Sequence, residues 1–203
     1  MDEVRCPLCG TPTKIRAGRR YCPRCDYWKT SYGEAHWEKH ATNVQGLVGE
    51  LRVKFPQATW EVGGLGAATG ARLDIPPQRK GEPDIRGWWM RKHFVSIEVS
   101  GTDSPNVSVP PGPIFIRPGK VTEAEAQGVP YFFYLVYPNA TYVVDLSLAQ
   151  AHRRNSVPRK IRGRVETYIA IPHEKAYFPS FLFASIAALL GQLEPQGRQG
   201  KLL

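Results

Sequence analysis

Residues 83–100 read PDIRGWWMRKHFVSIEVS, and this stretch predicts two neighbouring antiparallel strands. β-Branched and aromatic residues are frequent over 84–90 and again over 93–100, with only a two-residue turn between the two runs. The open ends of such a hairpin lie together, because antiparallel strands run back along one another. Asp84 and Glu98 are therefore expected to approach one another at the same end of the sheet.

Predicted helices and strands alternate on both sides of this hairpin. An apolar periodicity predicts a helix over 33–55, and a short strand over 59–62 follows it. The proline-rich segment 104–118 is expected to form no regular element. The later predictions are a helix over 120–127, strands over 131–137, 141–146 and 166–171, and a closing apolar helix over 181–193. The order of helix, three strands, helix and strand indicates an α/β fold with a mixed sheet.

All four cysteines occur near the start of the chain, as Cys6-x-x-Cys9 and Cys22-x-x-Cys25. Each C-x-x-C turn directs two thiolates at one ion, and two such turns complete a tetrahedral shell that suits structural zinc. Disulfides are rare in cytosolic proteins, whereas a rubredoxin-type iron site uses similar spacing and stays open as an alternative. Residues 1–32 are interpreted as a zinc ribbon, attached to a second domain.

The second domain is assigned to residues 33–203, and the ribbon is expected to contain a short hairpin within 11–21. The closing helix over 181–193 is apolar nearly all round, which predicts burial in the core or a contact between two copies of the chain.

No run of about 18 apolar residues and no apolar leader segment is present. We therefore expect a cytoplasmic protein without a membrane partner.

The charge balance favours a polyanionic partner. The chain has 27 Lys and Arg against 18 Asp and Glu, a formal net charge of +9, which indicates nucleic acid before a membrane surface. The ribbon is basic, and a second basic run without acids follows Leu146 and is interpreted as a phosphate-contacting loop. The residues expected to contact nucleic acid are Arg19, Arg20, Arg153, Arg154, Arg159 and Lys160.

Three carboxylates are the candidate chemical groups: Asp84, Glu98 and Glu50, the last on the helix ahead of the strands. Clustered carboxylates repel one another unless a cation or a proton compensates their charge. Their oxygens suit Mg²⁺ or Mn²⁺, which polarises a phosphodiester and activates water for attack. His36 and His40 lie on the same helix, but no third ligand is evident nearby, and they are interpreted as a surface pair.

Pro83-Asp84, followed by Ile97-Glu98-Val99 on the next strand, resembles the PD-(D/E)xK nuclease superfamily. The helix that carries Glu50 is similar to that of archaeal Holliday-junction resolvases and related restriction-type endonucleases. The likeness extends over about residues 36–137 and includes the order of elements. It implies a restriction-endonuclease-like α-β-β-β-α-β core with a mixed sheet, preceded here by the zinc ribbon.

The resemblance also implies a metal site. In that family the aspartate and glutamate bind a catalytic Mg²⁺ or Mn²⁺, and a backbone carbonyl beside the glutamate completes the site. Carried over to this chain, the metal ligands are Asp84, Glu98 and the carbonyl of Val99, and Glu50 assists. The zinc of the ribbon would be structural.

One position departs from the family pattern, because its lysine falls at Ser100 of this chain. Lysines of this family migrate to neighbouring elements, and Lys120 at the start of the next helix is the expected substitute. Arg117 is a weaker one, because a guanidinium neutralises charge without transferring protons. With Lys120 in place we expect a metal-dependent DNA endonuclease, possessing a zinc-ribbon nucleic-acid-binding module.

Two other functions compete with this one. Ser100 favours a non-catalytic DNA-binding or regulatory protein on a degenerate nuclease fold, if Lys120 does not reach the site. An RNA-associated zinc-ribbon protein with an unrelated α/β domain would be favoured if the three carboxylates lay far apart. The arrangement of these side chains therefore decides between the functions.

Overall fold

The computed structural model describes most of residues 33–203 and a small part of residues 1–32. The described residues are 11–12, 14–16, 19–21, 23, 34–63, 82–101, 109, 112–161 and 164–193. The four cysteines predicted to bind zinc lie outside them. Two short strands, β1 (Lys14–Arg16) and β2 (Arg19–Tyr21), pair antiparallel with Lys14 opposite Tyr21, which confirms the predicted hairpin.

Residues 33–203 contain four helices and eight strands among the residues that the structure describes. In chain order these are α1 (Glu34–Lys54), β3 (Thr59–Val62), β4 (Ile85–Trp89), β5 (Lys92–Gly101), β6 (Ile114–Ile116), α2 (Pro118–Ala126), β7 (Tyr131–Val136), β8 (Thr141–Asp145), α3 (Leu146–Ala151), β9 (Ser156–Ile161), β10 (Arg164–Ile171) and α4 (Pro179–Leu193). A single 3₁₀ turn, His173–Lys175, precedes α4. No helix among the described residues is both long and apolar enough to cross a membrane.

The central sheet has five strands in the order β3-β4-β5-β7-β8. Strands β5 and β7 run parallel, with Ser96 opposite Tyr131, and every other pair in this sheet is antiparallel. The parallel pair exists because α2 lies between the two strands in sequence and returns the chain to the same edge. The mixed α/β sheet predicted from the sequence is confirmed.

The hairpin of β4 and β5 is present, but its turn lies one residue earlier than predicted. Met90 and Arg91 form the turn and both have positive φ, 46° and 67°, so that Lys92 already belongs to β5. Two consecutive residues with positive φ match the twist of a two-residue hairpin. Ile85 lies opposite Ile97, and this register places Asp84 at the same end of the sheet as Glu98.

Two apolar cores form on the two faces of the central sheet. Helices α1 and α4 cover one face, where Leu51, Ile97 and Ile186 are fully buried. The other face is covered by α2, α3 and a second, three-stranded sheet of order β6-β10-β9. The closing helix therefore packs into the core, as one of the two sequence-based alternatives predicted.

Two segments expected to be irregular are strands. Within 104–118, Ile114 and Ile116 are buried and flank Phe115 in β6. The basic run expected to form a loop contains β9, which pairs with β10 over six residues. Strand β9 contains Pro158, which is compatible with a strand because β9 is at the edge of its sheet.

Candidate active site

Asp84 lies immediately before β4 and is only 5% exposed. One carboxylate oxygen, Oδ2, accepts a hydrogen bond from the backbone N–H of Val99 at 2.8 Å. The other, Oδ1, lies 3.3 Å from Nε2 of His40 on α1. Since burying a carboxylate without partners is costly, these two contacts explain how Asp84 is held at the end of the sheet.

Glu98 points from β5 toward α2, and Nζ of Lys120 donates a hydrogen bond to its Oε1. The side chain of Glu98 is 13% exposed and that of Lys120 is 31% exposed. Lys120 lies in the first turn of α2, which begins at Pro118, a residue suited to the first position of a helix. A lysine from α2, the next helix, thus reaches the glutamate, as the absence of lysine at position 100 led us to expect.

The pKa of the Glu98 carboxyl group is strongly raised. Burial, together with the negative charge of Asp84, raises its pKa to about 7, although Lys120 and His40 act in the opposite direction. Burial alone would lower the pKa of Lys120, but the charges of Glu98 and Asp84 outweigh it and raise that pKa. The ammonium therefore stays charged beside two closely spaced carboxyl groups.

Tyr131 is a member of this group that the sequence did not reveal. It begins β7, is 3% exposed, and lies close enough to Glu98 and Asp84 for their charges to act on its hydroxyl. Burial and the charges of Glu98 and Asp84 raise the pKa of Tyr131, so it remains a hydroxyl donor. The sequence carries no signal for this proximity, because it depends on the parallel register of β5 and β7, which places Tyr131 opposite Ser96, two residues before Glu98.

Glu50 is not brought to Asp84 and Glu98. It is exposed and borders a surface depression with Gly49, Val53 and Lys54. His40 and Glu50 are ten residues apart on α1, which separates them by about 15 Å along the helix axis. His40 is the α1 side chain that contacts Asp84, and its interpretation as a surface residue was wrong because the 18%-exposed ring turns toward the sheet.

Ser100 does not replace the lysine of the family pattern. It lies in β5 opposite Leu135 and two residues after Glu98. The carbonyl expected to complete a metal site belongs to Val99, whose N–H already contacts Asp84. Among the described residues, no group of three or more His, Cys, Asp and Glu side chains is arranged to hold a metal ion. The side-chain donors of the candidate site are thus the carboxylates Asp84 and Glu98.

The basic residues proposed for nucleic acid occupy different environments. Arg153 is an ion-pair partner of Glu125 at 3.0 Å and donates to the hydroxyl of Thr122 at 2.8 Å. Arg159 stacks on Phe115, with Cζ 3.9 Å from the ring centroid. Arg154 is exposed after α3, and Lys160 lies in β9. Arg19 and Arg20 are in β2, but their side chains are outside the described part of the chain.

No known protein-family model matches this chain, and no curated protein matches its sequence. Among solved structures the chain is similar to D212, described as a nuclease from a fusselovirus. The two share 12% sequence identity and a TM-score of 0.51, over 83% of this chain and 100% of that chain. Identity this low shows a common fold alone, and the chain therefore has a nuclease-like α/β core.

Proposed function

We propose that this protein is a metal-dependent DNA endonuclease. Its active site, formed by Asp84, Glu98 and Lys120, would hydrolyse phosphodiester bonds. One observation carries the proposal: Lys120 reaches Glu98 from a neighbouring element, beside Asp84, on a nuclease-like fold. Two carboxylates and an ammonium supply the charges that phosphodiester hydrolysis requires. The contact between Lys120 and Glu98 supports the proposal although position 100 is a serine.

The donor set of the site fits Mg²⁺ or Mn²⁺. Asp84 and Glu98 would hold the ion together with the carbonyl of Val99, and water or substrate oxygens would complete the shell, as is usual for these ions. When bound, the ion would polarise the phosphodiester and supply an activated water. The carboxylates would also require such a cation to offset their mutual repulsion.

The remaining steps belong to the side chains of this chain. Lys120 would stabilise the negative charge that develops on the phosphoryl oxygens, because its ammonium is fixed beside Glu98. His40 and the Val99 N–H contact Asp84 and would orient it, and Tyr131 would help to position the neighbouring Glu98. These positioning contacts preserve the geometry of the carboxylates between turnovers.

The proposal is tested by incubating the purified protein with Mg²⁺ or Mn²⁺ and duplex, single-stranded and branched DNA. Glu98→Gln is expected to abolish cleavage, and Lys120→Met to reduce the rate by about 10²- to 10³-fold. Glu174→Gln is the matched control, since this exposed glutamate lies on the 3₁₀ turn before α4. Cleavage that survives in Glu98→Gln would overturn the assigned site.

A second candidate follows from Ser100, which departs from the nuclease pattern. On that reading the protein binds DNA without cutting it and acts as a regulator. Binding of every DNA form with no cleavage under either metal would favour this function.

The zinc ribbon is proposed on the sequence alone. Cys6, Cys9, Cys22 and Cys25 would bind one structural zinc ion per chain, since four thiolates leave no open coordination position. Elemental analysis is expected to find one equivalent of zinc in the parent and none in a Cys22→Ser and Cys25→Ser variant. Iron in place of zinc would support the rubredoxin-type alternative.

A further inference from the structure

The three-stranded sheet β6-β10-β9 has one face in the core and one face outside it. The core face is formed by Ile114, Ile116, Ile169 and Ile171, each at most 3% exposed. Strand alternation places Phe115 and Tyr168 on the opposite face, where their rings meet edge to face at 6.2 Å. We call Phe115, Arg117, Arg159, Glu166 and Tyr168 the arginine face.

Arg159 is held on this face by a cation–π contact with Phe115. Its Cζ lies 3.9 Å from the centroid of the Phe115 ring. Such stacking leaves the N–H donors in the guanidinium plane available to a phosphate. Among the described residues, no carboxylate lies within ion-pair distance of Arg159. The stack therefore presents an exposed, oriented positive charge.

Arg117 is fixed on the same face by two residues of β10. Its Nη2 lies 2.9 Å from Oε2 of Glu166, and its Nε donates to the hydroxyl of Tyr168 at 3.3 Å. The Tyr168 hydroxyl in turn donates to Glu166 at 2.8 Å. Half of the Arg117 side chain remains exposed despite these bonds. Glu166 offsets part of its charge, so Arg159 contributes most of the available charge.

The arginine face continues into the candidate active site through the start of α2. Arg117 directly precedes this helix, and the N–H of Lys120 donates to the Arg117 carbonyl at 3.0 Å. Lys120 then contacts Glu98. The charge of Arg117 also acts on the Lys120 ammonium, so a polyanion bound at Lys120 would pass near Arg117, with Arg159 beyond it on β9.

We propose that the arginine face binds the phosphate backbone of the DNA that flanks the scissile phosphate. The inference rests on the proposed function, since it takes the DNA at Asp84, Glu98 and Lys120 as its starting point. The rings of Phe115 and Tyr168 lie beneath the guanidinium groups, and Tyr168 is only 9% exposed, so this ring is not available for stacking with a base. The face is therefore expected to contact phosphates rather than bases. Binding at this face is therefore expected to be independent of sequence.

The structure also separates Arg159 from Arg153, although both belong to the same basic run. The guanidinium of Arg153 forms an ion pair with Glu125 and donates a hydrogen bond to Thr122. These contacts connect the end of α3 to α2. We therefore expect Arg159 to contribute more to DNA binding than Arg153 does.

The test measures the dissociation constant for a short DNA duplex in EDTA, by fluorescence anisotropy, between about 50 and 200 mM salt. Arg159→Gln is expected to weaken binding and to lower the slope of log K against log salt by about 1. Lys54→Gln is the matched control, because Lys54 also covers an aromatic ring, Phe183 at 4.9 Å, but on the α1 and α4 side of the molecule. The control is expected to leave the slope nearly unchanged.

The inference would be overturned if Arg159→Gln and Lys54→Gln had the same slope of log K against log salt, or if neither variant differed from the parent. So would a loss for Arg159→Gln that appears with RNA and not with DNA. Arg159→Lys keeps the charge without the planar donors and is expected to fall between the parent and Arg159→Gln. Thermal unfolding of each variant shows whether a loss of affinity reflects a loss of folded protein.

Binding in EDTA is independent of hydrolysis, so the two proposals fail separately. Cleavage that requires Glu98, with unchanged binding in Arg159→Gln, overturns the arginine face and leaves the nuclease proposal standing. Reduced binding in Arg159→Gln, with no cleavage by the parent, overturns the nuclease proposal and supports the DNA contact.

Discussion

The positively charged side chain of the candidate site lies on a different element from the one that the nuclease pattern predicts. Position 100, two residues after Glu98, is a serine, whereas Lys120 reaches Glu98 from the first turn of α2. The change is compatible with the same electrostatics, because a charged group acts through its distance and environment rather than through its place in the chain. At this scale Tyr131 and Glu98 each supply a test.

Tyr131→Phe removes the hydroxyl that lies near the Glu98 carboxyl group and keeps the ring. If Glu98 is a metal ligand, we expect the dissociation constant for Mn²⁺ to rise by about tenfold, because the partners of metal ligands orient them. Calorimetry or Mn²⁺ electron paramagnetic resonance measures this. Tyr142→Phe is the control, since its hydroxyl donates to the Val109 carbonyl at 3.3 Å. Equal affinities for the two variants would contradict the role of Tyr131.

Glu98 makes the free energy of unfolding depend on pH. Its pKa is about 7 in the folded protein, against 4.5 for an unperturbed glutamate, so folding favours the protonated form. This contribution is fully present below about pH 4.5 and is lost as the pH rises through about 7. We expect the stability of the parent relative to Glu98→Gln to decline over this window by at most a few kcal/mol, and to be constant above it.

Urea unfolding of both proteins in EDTA between about pH 5 and about pH 8 measures the difference. Burial lowers the pKa of His93, but His93 is present in both proteins and its effect cancels. A difference that grows with rising pH would show that folding favours the ionised form of Glu98.

At the scale of elements, the β4–β5 hairpin sets the register that places Asp84 beside Glu98. Gly87 in β4 allows this packing, because a Cβ there would lie 2.6 Å from Cγ1 of Val95 and 2.8 Å from Cζ3 of Trp60. The hairpin was predictable from its alternating pattern and short turn. By contrast, proline and arginine content concealed β6 and β9, since an edge strand tolerates residues that a central strand excludes.

Gly87→Ala is expected to destabilise the protein by about 1–3 kcal/mol through overpacking. Gly49→Ala is the control, because a Cβ at this position of α1 would meet nothing within 4 Å. Removing a helical glycine is expected to stabilise the protein by about 0.5–1 kcal/mol. Denaturant unfolding compares the two variants, and a Gly87→Ala variant as stable as the parent would show that the sheet adjusts easily.

At the scale of the whole molecule, the candidate site joins elements from both faces of the central sheet. His40 reaches Asp84 from α1 on one face, and Lys120 reaches Glu98 from α2 on the other. Only at the end of the strands can side chains from both layers meet without crossing the sheet. A ligand bound there would therefore stabilise the contact between the two layers.

Mn²⁺ is expected to raise the unfolding midpoint of the parent and to leave that of Asp84→Asn unchanged. A ligand that binds only the folded state at about 100 times its dissociation constant adds about 2.7 kcal/mol of stability. Differential scanning fluorimetry with increasing Mn²⁺ measures the shift. His173→Gln, on the 3₁₀ turn before α4, controls for metal bound at other histidines and is expected to respond like the parent.

The sequence by itself determined the order of the main elements, the mixed sheet and the approach of Asp84 to Glu98. These follow from local periodicity and from the geometry of a hairpin, which act over a few residues. The tertiary structure alone decided that His40, rather than Glu50, meets Asp84 and that Tyr131 meets Glu98. Such contacts join residues that are distant in the chain, and they depend on the rotation of a helix over the sheet and on strand register, which no local pattern encodes.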